Sequence, residues 1–245
     1  MCVSGLGVVI PTYNERENLG RLVAEILALP IGAHVIVVDD NSPDGTGRLA
    51  DEIAAREHRV SVVHRPAKLG LGTAHIAGIR CAQSLGLDPI GTMDADFSHH
   101  PRYLPELLRG LEEADVVIGA RYVAGGGVAD SKWHRRLLSR GANAFARGVL
   151  GLRATDCTAG FRIYRGRALS SLDLDAVFSN GYSFLIEILF LVQSAGWRIS
   201  ECPILFEDRR EGSSKISRRE IAKAVYTVLR LSVLRLRRAA GHASD

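Results

Sequence analysis

Short runs of branched apolar residues, each followed at once by polar or acidic residues, recur through the first half of the chain. They predict strands at residues 7–10, 34–38, 60–64, 90–93 and 116–119, with helical stretches between them. Strands that alternate with helices form parallel βαβ units, in which helices cover both faces of the sheet. The pattern therefore predicts an α/β fold with a mostly parallel central sheet flanked by helices.

Polar side chains follow several of these strands directly. Ligands bind beyond the carboxyl ends of the strands in sheets of this kind, so we expect these side chains to converge on one rim. They are Tyr13, Asn14, Glu15, Asp39, Asp40, Asp94, Asp96 and Arg121.

Local signals predict where two helices begin. Asn14 and Glu17 have the spacing of a capping box, which predicts that Asn14 caps the helix that follows it. Pro43 favours the first turn of another helix.

The second half is less regular. We expect helices at 133–150, 182–194 and 217–238, strands at 161–164 and 199–206, and a charged loop at 207–217. We therefore divide the chain into a main domain, residues 1–217, which is expected to hold any active site, and a C-terminal amphipathic basic helix with its tail, residues 218–245.

Composition and charge limit the possible locations and partners. No apolar stretch approaches the roughly 18–20 residues that cross a bilayer, and the N-terminus leads directly into the strand before Pro11, so we expect a cytoplasmic protein. The net charge is only +4, but basic residues gather at 132–140 and 209–238. Without a nucleic-acid motif, such clusters favour an anionic membrane surface or a phosphorylated substrate over nucleic acid.

The sharpest local feature is Asp94-Ala95-Asp96 at a predicted strand end. Paired carboxylates suit a hard cation such as Mg²⁺ or Mn²⁺, which would bridge diphosphate oxygens. A plain strand end followed by a helix-capping Asp explains the same pattern equally well. Neighbouring His99 and His100 are not expected to bind metal.

Two basic residues, Arg209 and Lys215, flank a Gly/Ser-containing loop. Such a loop can close over phosphates, although the pattern taken alone favours a solvated basic surface loop. The Gly-rich segment 69–72 lacks the spacing of a phosphate-binding Walker loop.

Taken together, these motifs resemble the dolichyl-phosphate (polyprenyl-phosphate) mannose synthases, which are inverting family-2 glycosyltransferases of the GT-A fold. The likeness runs from about Val8 to about Ser217. It rests on Pro11-Thr12-Tyr13-Asn14-Glu15, Val38-Asp39-Asp40, Ser42-Pro43-Asp44-Gly45-Thr46, Leu69-Gly70-Leu71-Gly72-Thr73, Asp94-Ala95-Asp96, Gly119-Ala120-Arg121-Tyr122, Ser139-Arg140-Gly141-Ala142-Asn143 and Gly212-Ser213-Ser214-Lys215.

The resemblance implies a GT-A nucleotide-sugar-binding fold and a set of site residues. The resemblance implies that Asp96 binds the metal. Some relatives have a further metal ligand, a Gln, at the position of Ser98, so a bond from Ser98 to the metal is not implied. Catalysis is assigned to Asp96, Arg121, Arg209 and Lys215. The implied donor contacts are Pro11, Tyr13, Glu15, Val38, Asp40, Asp94, Ala95, Asp96, Arg121, Arg209 and Lys215.

The implied reaction transfers mannose from GDP-mannose to a polyprenyl or dolichyl phosphate with inversion, aided by Mg²⁺ or Mn²⁺. A UDP-sugar transferase of the glucose type and a non-catalytic nucleotide-sugar-binding subunit are the alternatives. A dehydrogenase is disfavoured, because Pro11 to Asn14 occupies the turn where a Gly-x-Gly-x-x-Gly would stand.

Two further expectations concern the site of the acceptor phosphate and the contact with a membrane. Arg135 and Ser139 share one helix face and are candidates for the acceptor phosphate, a basic surface helix being the alternative. In the C-terminal helix, Ile221, Val225, Val228, Leu229 and Leu236 lie opposite Arg219, Lys223, Arg230 and Arg237. This pattern is typical both of a helix on a membrane and of one packed on a core. We expect a peripheral protein on the cytoplasmic face of a membrane, either directly or through a membrane-anchoring subunit.

Overall fold

The computed structural model describes residues 5–129, 133–207 and 218–241. Its strands are β1 (Gly7–Thr12), β2 (His34–Asp39), β3 (Val60–His64), β4 (Ile90–Thr92), β5 (Val116–Ala120), β6 (Gly127–Ala129), β7 (Arg162–Tyr164), β8 (Ile199–Pro203) and β9 (Leu205–Glu207). Its helices are α1 (Arg16–Leu27), α2 (Thr46–Ala54), α3 (Leu71–Ser84), α4 (Leu104–Gly110), α5 (Trp133–Leu150), α6 (Gly166–Ser170), α7 (Ser183–Ser194) and α8 (Arg218–Gly241).

Seven strands form the central sheet, in the order β3-β2-β1-β4-β7-β5-β8. All of them are parallel except β7, which pairs antiparallel with both β4 and β5. The ends of β1, β2, β4 and β5 consequently lie along one edge, as expected from the sequence. The predicted α/β class with a mostly parallel sheet is confirmed.

Both faces of the sheet are covered. Alternate residues of β1 point to opposite sides, so Val8 and Ile10 join the apolar cluster that contains the buried residues of α1 and α4, while Val9 joins the cluster with α3 and α7. The α3 face packs closely, because a Cβ on Gly78 would lie 2.2 Å from Val9 Cγ1. Since β1 is covered on both sides, its run of apolar residues is continuous.

The predicted helix cap at Asn14 and the predicted helix start at Pro43 are both wrong. Asn14 has a positive φ of 60° and α1 begins at Arg16, while α2 begins at Thr46. One side chain explains both starts: Asp44 accepts hydrogen bonds from the backbone N–H of Arg16, at 3.2 Å, and of Thr46, at 2.9 Å. The α1 cap therefore comes from another loop, which the local pattern does not reveal.

The C-terminal helix packs on the body of the protein. α8 contacts α5 and α7, and Val228 and Leu231 belong to an apolar cluster that includes Leu189 of α7 and Ala146 of α5. The predicted strand 199–206 is split at Ile204, after which β9 pairs with β6 in a second, two-stranded sheet. Within the described residues, no helix is long and apolar enough to cross a bilayer.

Candidate active site

A cavity of about 690 Å³ opens at the carboxyl edge of the sheet. Polar side chains line the end beside β4 and β5, among them those of Asp94, Asp96 and Arg121. The remaining walls are largely apolar and come mainly from α5, α7 and α8. They include Leu137, Leu138, Phe145, Tyr182, Leu185, Ile221, Val225 and Val228. One continuous space therefore joins a charged end to an apolar groove.

The two carboxylates after β4 are oriented by the loop that follows. Asp96 Oδ1 accepts hydrogen bonds from the Ser98 backbone N–H at 3.0 Å and from its hydroxyl at 2.6 Å. The intervening Ala95 is buried and anchors the segment in the core. The Ser98 hydroxyl thus helps to orient Asp96, the predicted metal ligand.

His99 lies beneath this loop and serves a structural role. Its Nδ1 accepts a hydrogen bond from the Asp94 backbone N–H at 3.2 Å, and its ring stacks on Phe161. Burial lowers the pKa of His99 below its ordinary value, although the charges of Asp94 and Asp96 oppose this. A neutral His99 that accepts from the backbone through Nδ1 is not placed to hold a metal through that atom.

Arg121, which follows β5, is held by a buried carboxylate. The Asp156 carboxylate accepts hydrogen bonds from Arg121 Nε at 2.7 Å, from Arg121 Nη2 at 2.7 Å and from the Arg121 backbone N–H at 3.0 Å. Nη2 also donates to Thr158 Oγ1 at 2.8 Å. Burial favours a higher pKa for Asp156, but the hydrogen bonds and charge of Arg121 lower it below its ordinary value. Both groups are therefore charged.

The acceptor candidate Ser139 lies on α5 beside Arg121. Its hydroxyl accepts a hydrogen bond from the Tyr122 hydroxyl at 2.8 Å. One turn later, buried Asn143 accepts from the Cys157 backbone N–H at 2.7 Å and donates to the Ser139 carbonyl at 3.0 Å. These bonds fix α5 relative to the segment that holds Arg121.

The ends of β1 and β2 form a second group of predicted donor residues. Tyr13 lies under the Lys68 ammonium, which is 3.9 Å from the ring centre. Asp40 is buried, with Arg65 Nη1 2.7 Å from its Oδ1. Burial raises the pKa of Asp40, and Arg65 opposes the rise. Arg65 also donates to the Gly70 carbonyl at 3.3 Å and to the Thr73 hydroxyl at 2.6 Å, which ties Asp40 to the Gly-rich segment 69–72 and to the residue after it.

The predicted residues thus fall into three groups. Asp94, Asp96, Ser98, Arg121 and Ser139 line the cavity. Pro11, Tyr13, Glu15, Val38 and Asp40 lie at the adjacent ends of β1 and β2, outside the cavity lining, and the Val38 side chain is fully buried. Arg209 and Lys215 lie outside the described residues, as does the side chain of Arg135.

Sequence reasoning missed Asp156 and Thr158, and it gave no role to Tyr122 and Asn143, which it quoted only as parts of motifs. The segment 155–158 does carry three polar residues just before an apolar run, which is a weak local signal. Its partner Arg121 is 35 residues away, and the two meet only because β7 inserts beside β5. Spacing along the chain does not reveal such a pair.

The carboxylate oxygens at the cavity are suited to binding a hard divalent cation. Asp94 and Asp96 offer carboxylate oxygens at the cavity, and Mg²⁺ characteristically binds through one or two carboxylates together with water and substrate phosphates. Among residues 5–129, 133–207 and 218–241, no group of three or more His, Cys, Asp or Glu side chains could hold a metal alone. The two carboxylates therefore fit a metal that shares its coordination with a diphosphate.

Comparison with known proteins places this site in a family. The model of "Glycosyl transferase family 2" matches residues 7–173, which include β1 to β7 and both carboxylates after β4. The chain belongs to glycosyl transferase family 2. The predicted resemblance to family-2 glycosyltransferases and the assignment of the protein as a glycosyltransferase are confirmed.

Two curated relatives are similar along nearly the whole chain. Polyprenol monophosphomannose synthase of Mycolicibacterium smegmatis is 45% identical over 237 residues, which cover 96% of this chain and 89% of that protein. Undecaprenyl-phosphate mannosyltransferase of Micrococcus luteus is 44% identical over 222 residues, 91% of each chain.

The fold also matches solved structures. Glucosyl-3-phosphoglycerate synthase from Mycobacterium tuberculosis, in complex with Mg²⁺ and UDP, superposes with a TM-score of 0.65 at 22% identity, covering 94% of this chain and 79% of that one. Its complex with Mn²⁺, UDP and glucosyl-3-phosphoglycerate gives 0.64 at 21%. At this identity the likeness establishes the shared fold.

Proposed function

We propose that this protein transfers mannose from GDP-mannose to a polyprenyl phosphate, giving a polyprenyl-phosphate mannose with inversion at the anomeric carbon. The observation that carries the proposal is the cavity with two unlike ends. A nucleotide diphosphate suits the end with Asp94, Asp96 and Arg121, and an isoprenoid chain suits the apolar groove between α5 and α8. The two curated relatives, both named as mannose transferases to prenyl phosphates, support this substrate class.

At the donor end, Asp96 with Asp94 would hold Mg²⁺ or Mn²⁺. That cation would neutralise charge on the diphosphate leaving group. The Arg121 guanidinium would donate hydrogen bonds to diphosphate oxygens from its cavity-facing edge, and Arg209 and Lys215 would add further cationic contacts. The nucleotide would lie along the ends of β1 and β2, beside Pro11, Tyr13, Glu15, Val38, Asp40 and Ala95.

At the acceptor end, a phosphate near Ser139 and Arg135 would attack the sugar directly. A phosphate is already anionic at pH 7, so the reaction needs alignment and leaving-group stabilisation rather than a strong general base. His99 is not a candidate for such a base, since its Nδ1 accepts from the backbone of Asp94 and its ring is buried. One in-line displacement on an α-linked donor gives a β-linked product.

The acceptor's isoprenoid chain stays in a bilayer, so the protein must meet a membrane surface. Large apolar side chains are exposed on the two helices that border the groove. On α5 they are Trp133, Leu137, Leu138 and Phe145, and on α8 they are Ile221, Val225, Tyr226, Leu229, Val233, Leu234 and Leu236. Apolar surface shared by two adjacent helices is typical of a membrane contact. We propose peripheral attachment to the cytoplasmic face, directly or with an anchoring subunit.

The test offers the purified protein radiolabelled GDP-mannose or UDP-glucose, each with polyprenyl phosphate and Mg²⁺, and measures label in the organic phase. Label from GDP-mannose alone is expected. Label from UDP-glucose alone would support the UDP-sugar alternative instead. No label from either donor, with nucleotide binding intact, would support a non-catalytic subunit.

A further inference from the structure

Arg121 and Asp156 form an enclosed ion pair at the edge of the cavity. The Arg121 side chain is 14% exposed and the Asp156 side chain 0% exposed. Two carboxylate oxygens receive three N–H groups of Arg121, so the guanidinium is gripped in a fixed plane. The rings of Tyr122 and Phe206 lie 5.1 and 5.3 Å from the guanidinium carbon and restrict it further.

The segment around Asp156 is itself held by two other side chains, those of Glu201 and Arg162. Glu201 of β8 accepts from the backbone N–H groups of Thr155 and Asp156, at 2.8–2.9 Å. Arg162, fully buried, donates to the carbonyls of Cys157 and Ala159, both at 2.8 Å. The position of Asp156 is therefore set independently of Arg121, and the carboxylate can determine where the guanidinium points.

The pair has no net charge, although it borders a cavity that must admit two anionic substrates. Its bonds use Nε and Nη2 of Arg121, and within the described residues Nη1 makes no hydrogen bond to the protein. Arg121 can thus donate a directed hydrogen bond to a diphosphate oxygen without adding an uncompensated positive charge. A buried cation without its carboxylate would attract a diphosphate more strongly and hold it longer.

We propose that Asp156 is a positioning residue that aims Arg121 at the diphosphate and cancels its charge, so that the nucleoside diphosphate is bound by directed hydrogen bonds and is released readily after transfer. This inference rests on the proposed function, because it requires an anionic leaving group beside Arg121. It predicts that loss of the Asp156 charge strengthens binding of the diphosphate. Loss of a purely structural support would weaken that binding or leave it unchanged.

The experiment titrates GDP and UDP, each with Mg²⁺, into the wild-type protein, Asp156→Asn and Glu201→Gln. Glu201→Gln is the matched control, because it loosens the same segment without touching Arg121. Asp156→Asn is expected to bind the diphosphate at least about threefold more tightly, with an advantage that shrinks as salt is raised. In steady-state assays the same variant should lower kcat and KM for the donor together.

Equal or weaker binding by Asp156→Asn, matching Glu201→Gln, would overturn the inference and leave the segment a structural support. If wild type binds UDP and not GDP, the proposed donor fails, while the effect of Asp156 is still measured with UDP. If it binds neither, both proposals fail.

If Asp156→Asn does not fold, the double variant Arg121→Gln/Asp156→Asn is tested in its place, because it removes both charges. Restored folding in the double variant would show that the unpaired charge was the cause, as the inference requires. Failure of the double variant while Glu201→Gln folds would overturn it.

Discussion

Two carboxylates, Asp94 and Asp96, face the donor end of the cavity, and Asp96 is the predicted metal ligand. Replacing Asp96 with Ala should lower kcat at least about 100-fold, because cation-assisted stabilisation of the leaving group contributes several kcal/mol. Titration of Mn²⁺ in the presence of GDP should show weaker metal binding. Glu112→Ala, an exposed carboxylate before β5, is the control. Normal turnover by Asp96→Ala with a chelator present would refute the assignment.

A buried histidine gives the protein a dependence of stability on pH. His75 is fully buried, neither ring nitrogen has a hydrogen-bond partner among the described residues, and the ring stacks on Phe184. Burial lowers the pKa of His75 from 6.5 to about 3. Between these values the unfolded chain binds a proton that the folded protein does not, so stability is lost as pH falls below 6.5.

His75→Phe should remove this contribution, up to about 1.4 kcal/mol per pH unit between pH 6 and pH 4, while an aromatic ring remains against Phe184. Urea unfolding at several pH values measures the slope. His58→Gln, at an exposed side chain, is the control. An unchanged slope in His75→Phe would mean that His75 is protonated in the folded protein.

The carboxylates after β4 could be predicted because strand, turn and acidic pair are consecutive in the sequence. Asp156 could not, because its effect depends on a pairing between β7 and β5 that no local pattern encodes. Metal ligands on one loop and donors on neighbouring parallel strands follow from general sheet geometry. An ion pair across an inserted antiparallel strand does not.

Helices and strands were predicted well where the pattern of apolar residues extended over the whole element. The predicted limits of α5 and β3 agree with the structure, and the predicted start of α7 differs from the structure by one residue. The starts of α1 and α2 were missed, because Asp44 satisfies N–H groups of both helices from one loop. Helix caps that come from another part of the chain leave no signature at the helix itself.

The sequence left open whether α8 packs on the core or lies on a membrane, and the two faces of the helix differ. Leu231 is 0% exposed and Leu229 52% exposed, although both are leucines of the same helix. Leu231→Ala should lower the free energy of unfolding by about 2–5 kcal/mol, because it leaves a cavity. Leu229→Ala, the matched control, should change it by less than about 0.5 kcal/mol. Equal effects would mean that residues 218–245 form the separable unit predicted from the sequence.

The exposed face of α8, with its neighbours on α5, is the surface expected to meet lipid. The double change Leu229→Ser/Leu236→Ser should reduce sedimentation with anionic vesicles, and added salt should weaken binding of the wild type. Leu85→Ser, an exposed leucine at the far end of α3 from the cavity, is the control.

Trp133, strongly exposed on α5, provides a direct optical signal. In a Trp197→Phe background its emission should shift to shorter wavelength when vesicles are added. No shift, together with no sedimentation, would mean that membrane contact is made elsewhere or through another protein.

Across the whole molecule, the sheet brings a metal-suited pair of carboxylates and a neutralised arginine to one end of a single cavity. The α5 and α8 helices supply an apolar path from that end to an exposed apolar surface. This arrangement fits the transfer of a sugar from a soluble nucleotide donor to the phosphate of a membrane-embedded lipid. A cavity with only one of these two ends would not suit both substrates.

The most direct test is the NMR spectrum of the product made from GDP-mannose labelled with ¹³C at the anomeric carbon, with polyprenyl phosphate as acceptor. We predict a single mannosyl phosphate with coupling from the anomeric carbon to phosphorus and with the β configuration, as one displacement on an α-linked donor requires. An α-linked product, or mannose released without a bond to phosphorus, would contradict the account.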